Sequence, residues 1–226
     1  MTTTDATGTR PAEPAADEAS APRLGLVAVR AVPTRLSDRL GMSGEPHADA
    51  LRAFRAARHE FIAGSRIDMG ALAADLGVDR TSLFRWVGNR DALLSEVLWS
   101  LAIPTLDRAD HPELHGPARL VELLSAFVDA LIDADYFRTF LTREPARALR
   151  LLTTADSEIQ RRLRVVIETA IDEEAVRGTY TPPLPTADLA YLLARIAESF
   201  IYADLITGDE PDAAKARDAF ALVLGR

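Results

Sequence analysis

Residues 77–94, GVDRTSLFRWVGNRDALL, bring together Arg80, Arg85, Trp86 and Arg90 around a helix of about two turns. Guanidinium groups bind phosphate through paired hydrogen bonds, and an indole N–H supplies a further donor. The stretch therefore fits a groove that binds phosphate. The alternative is an ordinary solvated helix end, in which the arginines only face water.

The same region has the spacing of a helix-turn-helix. Ala73 is small enough for two helices to approach, Gly77 allows a sharp turn, and Leu83 directs an apolar side chain into the core. Helical geometry then leaves four side chains outward or flanking, where a major groove would meet them. They are Arg80, Thr81, Ser82 and Arg85.

Capping residues and glycines divide residues 48–104 into four predicted helices. The helix N-caps are Asp68, Asp79 and Asn89, and the glycines that end helices are Gly64, Gly77 and Gly88. The fourth helix is expected to end at Pro104, because proline interrupts the helical hydrogen-bond ladder.

The remaining chain also has helical periodicity, with no convincing alternating strand pattern. Further helices are predicted near residues 118–134, 135–143, 145–153, 156–177, 186–207 and 211–224. Residues 1–45 contain few large apolar side chains, which indicates a disordered or loosely docked tail with a short docking element at 24–32.

The net formal charge of −8 is unevenly distributed. Residues 1–45 carry five basic and six acidic side chains, and residues 46–106 carry seven of each. Residues 107–226 carry 14 basic and 21 acidic side chains. A site for a polyanion must therefore be a local cluster within the neutral middle segment.

Composition narrows the class of protein. The chain has no cysteine, which excludes disulfides, thiolate nucleophiles and cysteine-ligated zinc. The apolar run LGLVAVRAV is short and contains Arg30, so we expect neither a signal peptide nor a membrane span. These features are typical of a cytoplasmic globular protein.

No enzyme motif is evident in the sequence. His111 and His115 flank Glu113, but Pro112 and Gly116 favour a loop with no further metal ligand nearby. A glycine-rich phosphate loop and a nucleophile elbow are also missing from the sequence. We predict no metal site, no cofactor and no catalytic residues.

The stretch from Asp68 to Leu94 resembles the DNA-binding domain of the TetR family of bacterial transcription regulators. In that family the third helix commonly reads glycine, valine, variable residues, leucine, aromatic, variable, then aromatic or histidine, before a capped basic start to the fourth helix. The matching residues are Gly77, Val78, Leu83, Phe84, Trp86, Val87, Asn89 and Arg90. The resemblance covers helices two to four of that domain.

The resemblance implies an all-α protein with two folded parts. A three-helix helix-turn-helix DNA-binding domain, residues 46–92, would follow the tail over 1–45. Helix four would join it to a helical ligand-binding and dimerisation bundle, residues 93–226.

The resemblance also implies contacts to the DNA backbone. Phe84 occupies the place of the family's usual tyrosine, Trp86 that of a phosphate-contacting histidine or tyrosine, and Arg90 that of a lysine. Phe84 lacks a hydroxyl, and Asp68 stands where a phosphate-bonding threonine is common. The site therefore offers fewer phosphate contacts than is usual in the family. The predicted DNA-binding residues are Arg80, Thr81, Ser82, Phe84, Arg85, Trp86 and Arg90, with Arg80 as the base reader. For Phe84 and Trp86 the alternative is packing between helices.

The predicted helix over 186–207 is apolar almost all round, so we expect it to be buried on every face, in part by a second copy of the chain. A polar stripe of Tyr191, Arg195, Glu198 and Tyr202 could line a ligand cavity, or could be an ion pair with two interface tyrosines. Three aromatic side chains on other helices could wall the same cavity, or belong to the core. They are Phe127, Phe137 and Phe140.

The segment RIAESFIYADLITG is similar to the QsdR-like subgroup of the family, which includes lactone-responsive regulators. We therefore expect a homodimeric repressor that binds a palindromic double-stranded DNA operator. A small apolar or amphipathic effector, lactone-like by this resemblance, would release it. The alternatives are a helical ligand-binding enzyme and a protein-interaction module, each with a vestigial DNA-binding motif.

Overall fold

The computed structural model describes residues 33–42 and 44–225, and all regular secondary structure within these ranges is helical. The helices are α1 (Arg35–Arg39), α2 (Ala48–Ile62), α3 (Met69–Asp75), α4 (Arg80–Val87), α5 (Arg90–Ala109), α6 (Gly116–Ile132), α7 (Asp135–Arg143), α8 (Pro145–Thr153), α9 (Glu158–Val176), α10 (Thr186–Ile201), α11 (Ala203–Ile206) and α12 (Ala213–Leu224). The all-α prediction is confirmed.

The helix-turn-helix forms as its sequence predicts. The Asp68 carboxylate accepts hydrogen bonds from the Gly70 and Ala71 N–H groups at the start of α3. Asp79 caps α4 in the same way by accepting from the N–H of Ser82. Gly77, with φ of +70°, makes the left-handed turn between the two helices. Ala73 and Leu83 are buried where α3 and α4 meet the core.

Helix α5 is longer than predicted, because it continues through Pro104 to Ala109. The proline ring is exposed, and Leu101, Leu106 and Ala109 on either side of it are buried. Tertiary packing of these apolar residues therefore outweighs the loss of one backbone hydrogen bond. The fourth helix does not end at Pro104, and α5 reaches from the helix-turn-helix deep into the bundle.

Helices α6 to α12 form the bundle, in which α6 packs on α12 and α9 packs on α10. The boundaries of α6 to α9 and α12 agree with the prediction to within about two residues. The single helix predicted over 186–207 is broken at Tyr202 into α10 and α11. Within one chain α10 is not buried on every face, since 51% of Tyr191 and 37% of Leu192 are exposed.

Helix α1 adds to the predicted architecture, because it lies within the segment for which composition predicts a tail. Thr34 caps it by accepting a hydrogen bond from the N–H of Ser37. Leu36 is buried, and α1 contacts α2, α4 and α5. The docking element predicted at 24–32 lies outside the described residues.

A buried ion network fixes the C-terminal end of α5 to the bundle. Arg119 of α6 binds Asp110 through two hydrogen bonds of 2.8 and 3.0 Å, and binds Glu174 of α9 at 2.8 Å. Burial opposes ionisation of Glu174, but hydrogen bonds from Thr179, the Gly116 N–H and Arg119 lower the pKa of its carboxyl to about 2. The network stabilises the junction of three helices, and nothing in the local sequence pattern predicts it.

Candidate nucleic-acid interface and internal cavity

Helix α4 presents a continuous exposed surface on one side. Arg80, Thr81 and Arg85 are exposed on it, and Phe84 is 38% exposed. The guanidinium of Arg80 lies over the Phe84 ring, 5.8 Å from its centroid, which directs the charge along the helix surface. A surface of this shape and charge fits the major groove of B-DNA.

Ser82 and Trp86 have structural contacts in addition to their predicted role. The Ser82 hydroxyl donates to the Asp79 carboxylate at 2.8 Å and completes the α4 cap. Trp86 is half-buried, and its ring lies 6.4 Å from that of His47 at the start of α2. Both side chains thus fix α4 in the domain, and their contact with DNA stays a prediction.

Arg90 lies at the start of α5, directly after α4, but its guanidinium is already paired within the chain. It forms two hydrogen bonds of 2.6 Å to the carboxylate of Glu144, and its Nε donates to the Ile67 carbonyl at 2.5 Å. Hydrogen bonds from Arg90 lower the pKa of Glu144, and this partner raises the pKa of Arg90. Because Glu144 lies between α7 and α8, Arg90 connects the helix-turn-helix to the bundle.

The neighbouring residue, Asp91, repeats this connection. Its carboxylate accepts hydrogen bonds from Arg147 and Arg150 of α8. Burial works against ionisation of Asp91, but the two arginines lower the pKa of its carboxyl. Three arginines and two carboxylates therefore join the start of α5 to the bundle.

A cavity of about 50 Å³ lies inside the bundle between α5, α6, α7, α9 and α10. Four of the seven predicted ligand-binding residues line it: Phe127, Phe137, Glu198 and Tyr202. Residues of α5 form one wall of the cavity, and they are Leu98, Trp99, Leu101 and Ala102. The lining is mostly apolar, with a small number of polar groups that could orient a ligand.

Glu198 and Tyr202 are the polar groups of main interest in this cavity. Burial raises the pKa of Glu198 to about 7, although Arg195 binds the carboxylate at 2.7 Å and opposes the shift. Burial also raises the pKa of Tyr202, whose hydroxyl stays protonated. Near neutral pH the cavity can therefore offer O–H donors to a ligand oxygen.

The other three predicted ligand-binding residues lie elsewhere. Phe140 packs against Phe61, with ring centroids 5.6 Å apart, and so connects α7 with α2. Tyr191 and Arg195 line an open groove of about 580 Å³ on the outside of α9 and α10. The Arg195–Glu198 ion pair is present, with Arg195 at the groove and Glu198 at the cavity, and a ligand-binding role for the polar stripe stays a prediction.

Several residues that line the cavity were not predicted from the sequence, notably Trp99 and Gln160. The guanidinium of buried Arg162 lies 5.6 Å from the centroid of the Trp99 ring. The same guanidinium binds Glu96 of α5 through hydrogen bonds of 2.9 and 3.1 Å. The sequence could have indicated the Glu96–Arg162 pair through Glu96 itself, since a single acid within an apolar helical run must have a buried partner.

The predictions of no metal site and no membrane span can be compared with the described residues alone. Within residues 33–42 and 44–225, no group of three or more histidine, aspartate or glutamate side chains is placed to ligate a metal ion. Across the same part of the chain, no helix combines the length and the apolar character needed to cross a membrane.

Comparison with known proteins identifies the architecture. A sequence profile of the tetracyclin repressor-like C-terminal domain matches residues 115–225, from α6 to the end of α12. The solved structure of the R. erythropolis transcriptional repressor QsdR, from the TetR family, superposes with a TM-score of 0.71 at 27% identity. The superposition covers 80% of this chain and 96% of that one. The chain belongs to the TetR family. No curated protein sequence gives a significant match.

Membership of the TetR family assigns the two parts of the fold. The chain is a DNA-binding transcriptional regulator, with an N-terminal DNA-binding domain followed by a helical C-terminal domain, and it is not an enzyme. TetR-family regulators bind DNA operators, form dimers and bind small-molecule effectors. The exposed face of α4 and the internal cavity are the candidate sites for the first and the last of these functions.

Proposed function

We propose that the protein is a cytoplasmic repressor that binds a palindromic operator as a homodimer and leaves it when an effector fills the internal cavity. The observation that carries the proposal is the course of α5. This helix begins beside α4 at Arg90 and lines the cavity from Leu98 to Ala102. One element therefore contacts both candidate sites.

Operator recognition follows from the exposed side of α4. Arg80 is the residue that we expect to read a base, since bidentate arginine to guanine is the commonest specific contact and contributes about 1–3 kcal/mol of discrimination. Thr81, Phe84 and Arg85 would complete the contact surface. Arg90 is bound to Glu144, so a phosphate contact by Arg90 would share its guanidinium with that carboxylate.

Dimerisation follows from apolar side chains that one chain leaves uncovered. Tyr191 and Leu192 of α10, Ile206 of α11 and Leu222 of α12 are 37–81% exposed. Exposed apolar side chains of this size are typical of an interface between subunits. Two copies of α10 and α12 would form a four-helix bundle and place two α4 helices on successive major grooves, about 34–36 Å apart.

The cavity indicates the chemistry of the effector. Its lining is apolar apart from Glu198, Gln160 and the polar atoms of Tyr136, Tyr202 and Trp99, which suits a small apolar or amphipathic molecule with at least one hydrogen-bond acceptor. A lactone has this character, because its ring ester oxygens accept hydrogen bonds and the remainder is apolar. The resemblance of the segment RIAESFIYADLITG to lactone-responsive QsdR-like regulators favours this class of effector.

Release from DNA would follow from the size of the cavity. A volume of about 50 Å³ is smaller than the 300–1,000 Å³ typical of ligand pockets, so an effector must push the surrounding helices apart. Displacement of α5 at Leu98 and Ala102 would move Arg90 and thereby α4. The effector then binds the DNA-free conformation more tightly, which shifts the population away from the operator.

Selection of duplexes from a random or genomic library by the purified protein tests this function. It should be done at two salt concentrations with the wild type and Arg80→Ala. We expect the wild type to enrich an inverted repeat, and Arg80→Ala to bind DNA with relaxed sequence preference. Absence of enrichment by the wild type at low salt would contradict the proposal.

A further inference from the structure

A groove of about 210 Å³ separates α1 from the C-terminal half of α4. Three arginines line it, Arg35 and Arg39 from α1 and Arg85 from α4. Its remaining lining residues are Leu36, Phe84, Trp86, Val87, Gly88 and Ala92. No carboxylate is among the described residues that line the groove, which concentrates positive charge beside the helix that faces DNA.

Helix α1 is fixed firmly enough to position these charges. Leu36 is buried against the core, and the Thr34 hydroxyl donates to the carboxylate of Glu96 in α5. Arg39 donates hydrogen bonds to the carbonyls of Arg85 and Trp86 at the end of α4, the second at 2.9 Å. A cation at the C-terminal carbonyls of a helix interacts favourably with the helix dipole. Arg39 therefore positions α1 against α4.

Arg35 has the opposite character to Arg39. Its side chain is exposed, and within residues 33–42 and 44–225 it forms no ion pair. It lies one helical turn before Arg39, on the rim of the groove. A guanidinium in this position is available for an anion outside the chain.

Apart from Arg85, the neighbouring end of α4 has few donors of its own for a phosphate. Phe84 has no polar side-chain atom, Gly88 has no side chain, and Trp86 offers a single N–H. The Arg90 guanidinium is paired with Glu144. Cations from α1 would add to the single charge that Arg85 supplies at this edge of α4.

We propose that α1 forms a phosphate-binding site for the DNA backbone, in which Arg35 contacts a phosphate beside the operator groove and Arg39 positions the helix that presents it. The proposal rests on the proposed operator binding and extends the contact surface beyond the helix-turn-helix. A phosphate contact does not read sequence, so Arg35 should contribute equally to all duplexes.

The test is equilibrium binding of the full-length protein to its selected operator and to an unrelated duplex, over a range of salt concentrations. Arg35→Gln removes one charge from each subunit and should weaken binding to both duplexes by about five- to tenfold. Each lost phosphate contact lowers the slope of log K against log salt by about 0.9, so a dimer should lose about 2. Arg35→Lys keeps the charge and should retain the slope.

Arg161→Gln is the matched control, because it makes the same charge change at an exposed position on α9. It should bind both duplexes like the wild type. If Arg35→Gln is folded by circular dichroism and has the affinity and salt slope of the wild type, the α1 site is refuted while operator binding stands. If the wild type itself binds no duplex at low salt, the proposed function fails and the α1 site fails with it.

Discussion

The start of α5 and its cavity-lining stretch interact with the bundle in different ways. At the N-terminal end, Arg90 and Asp91 form ion pairs with Glu144, Arg147 and Arg150 at the edge of the bundle. Between these pairs and the Asp110 ion network at its C-terminus, the helix packs apolar side chains around a small cavity, with Trp99 and Leu101 buried. The N-terminal end is oriented by charge, and the cavity-lining stretch responds to volume.

This difference suggests how one helix serves two functions. Ion pairs have preferred directions, so they fix the angle at which α4 is presented. Apolar packing has no preferred direction, but a closely packed interior transmits a change in volume to its neighbours. A ligand that enlarges the cavity would therefore act on the orientation set at the N-terminal end.

The largest expected effect concerns the middle of α5, where Glu96 is bound by Arg162. Arg162→Met leaves the buried carboxylate without its main cation, so we expect the free energy of unfolding to fall by about 3–5 kcal/mol. Chemical denaturation of the single variant and of Arg162→Met with Glu96→Gln measures this. The double variant should regain part of the loss, and equal losses in both would contradict the pairing.

Glu198 of α10 lines the cavity beside α5, and its raised pKa predicts a stability that depends on pH. The folded state binds a proton that the unfolded state releases, so stability should fall as pH rises from about 4.5 to about 7. The contribution is at most about 3 kcal/mol. Unfolding free energies at pH 5 and pH 7.5 should differ less in Glu198→Gln than in the wild type. An identical pH dependence would mean that Glu198 is already ionised at pH 5.

At the N-terminal end of α5, where Glu144 binds Arg90, Glu144→Gln should have a smaller effect on stability. Removing the charge weakens the paired hydrogen bonds from Arg90, at an expected cost of about 1–2 kcal/mol, between the values for exposed and buried ion pairs. Thermal unfolding measures this cost. Operator affinity should change as well, because the start of α5 is less firmly oriented. Unchanged stability and affinity would show that the pair does not orient α5.

The smallest expected effect is that of an exposed ion pair, which serves as the reference for the changes in stability given above. The Arg161–Glu158 pair on α9 is exposed to solvent. Arg161→Gln should change the free energy of unfolding by less than about 0.5 kcal/mol. A cost equal to that of Glu144→Gln would indicate that the ion pairs of α5 are no different from those of the surface.

Local sequence signals predicted most of the fold. Asp68, Asp79 and Asn89 cap their helices as expected, since a cap depends only on residues two or three positions away. The prediction at Pro104 was wrong because packing by Leu101 and Leu106 is a tertiary effect. Helix α1 was missed because five residues give too short a pattern for periodicity to register.

The candidate sites were predictable to different degrees. Exposure of Arg80 and Arg85 follows from the inward direction of Leu83, so the surface of α4 could be predicted from one helix. The cavity is formed by helices distant in sequence, and periodicity cannot show which aromatic side chains meet. For this reason Phe137 lies at the cavity while Phe140, three residues later, packs on α2.

The most direct test of coupling through α5 is the operator affinity of a variant whose cavity is filled. Ala102→Phe adds more volume than the cavity of about 50 Å³ can accept, so it should displace α5 as an effector would. We predict at least a tenfold loss of operator affinity at fixed salt in a folded protein. The control, Ala126→Phe, overpacks α6 outside the cavity and should have a smaller effect. Wild-type affinity in folded Ala102→Phe would contradict the claim that α5 connects the cavity to DNA.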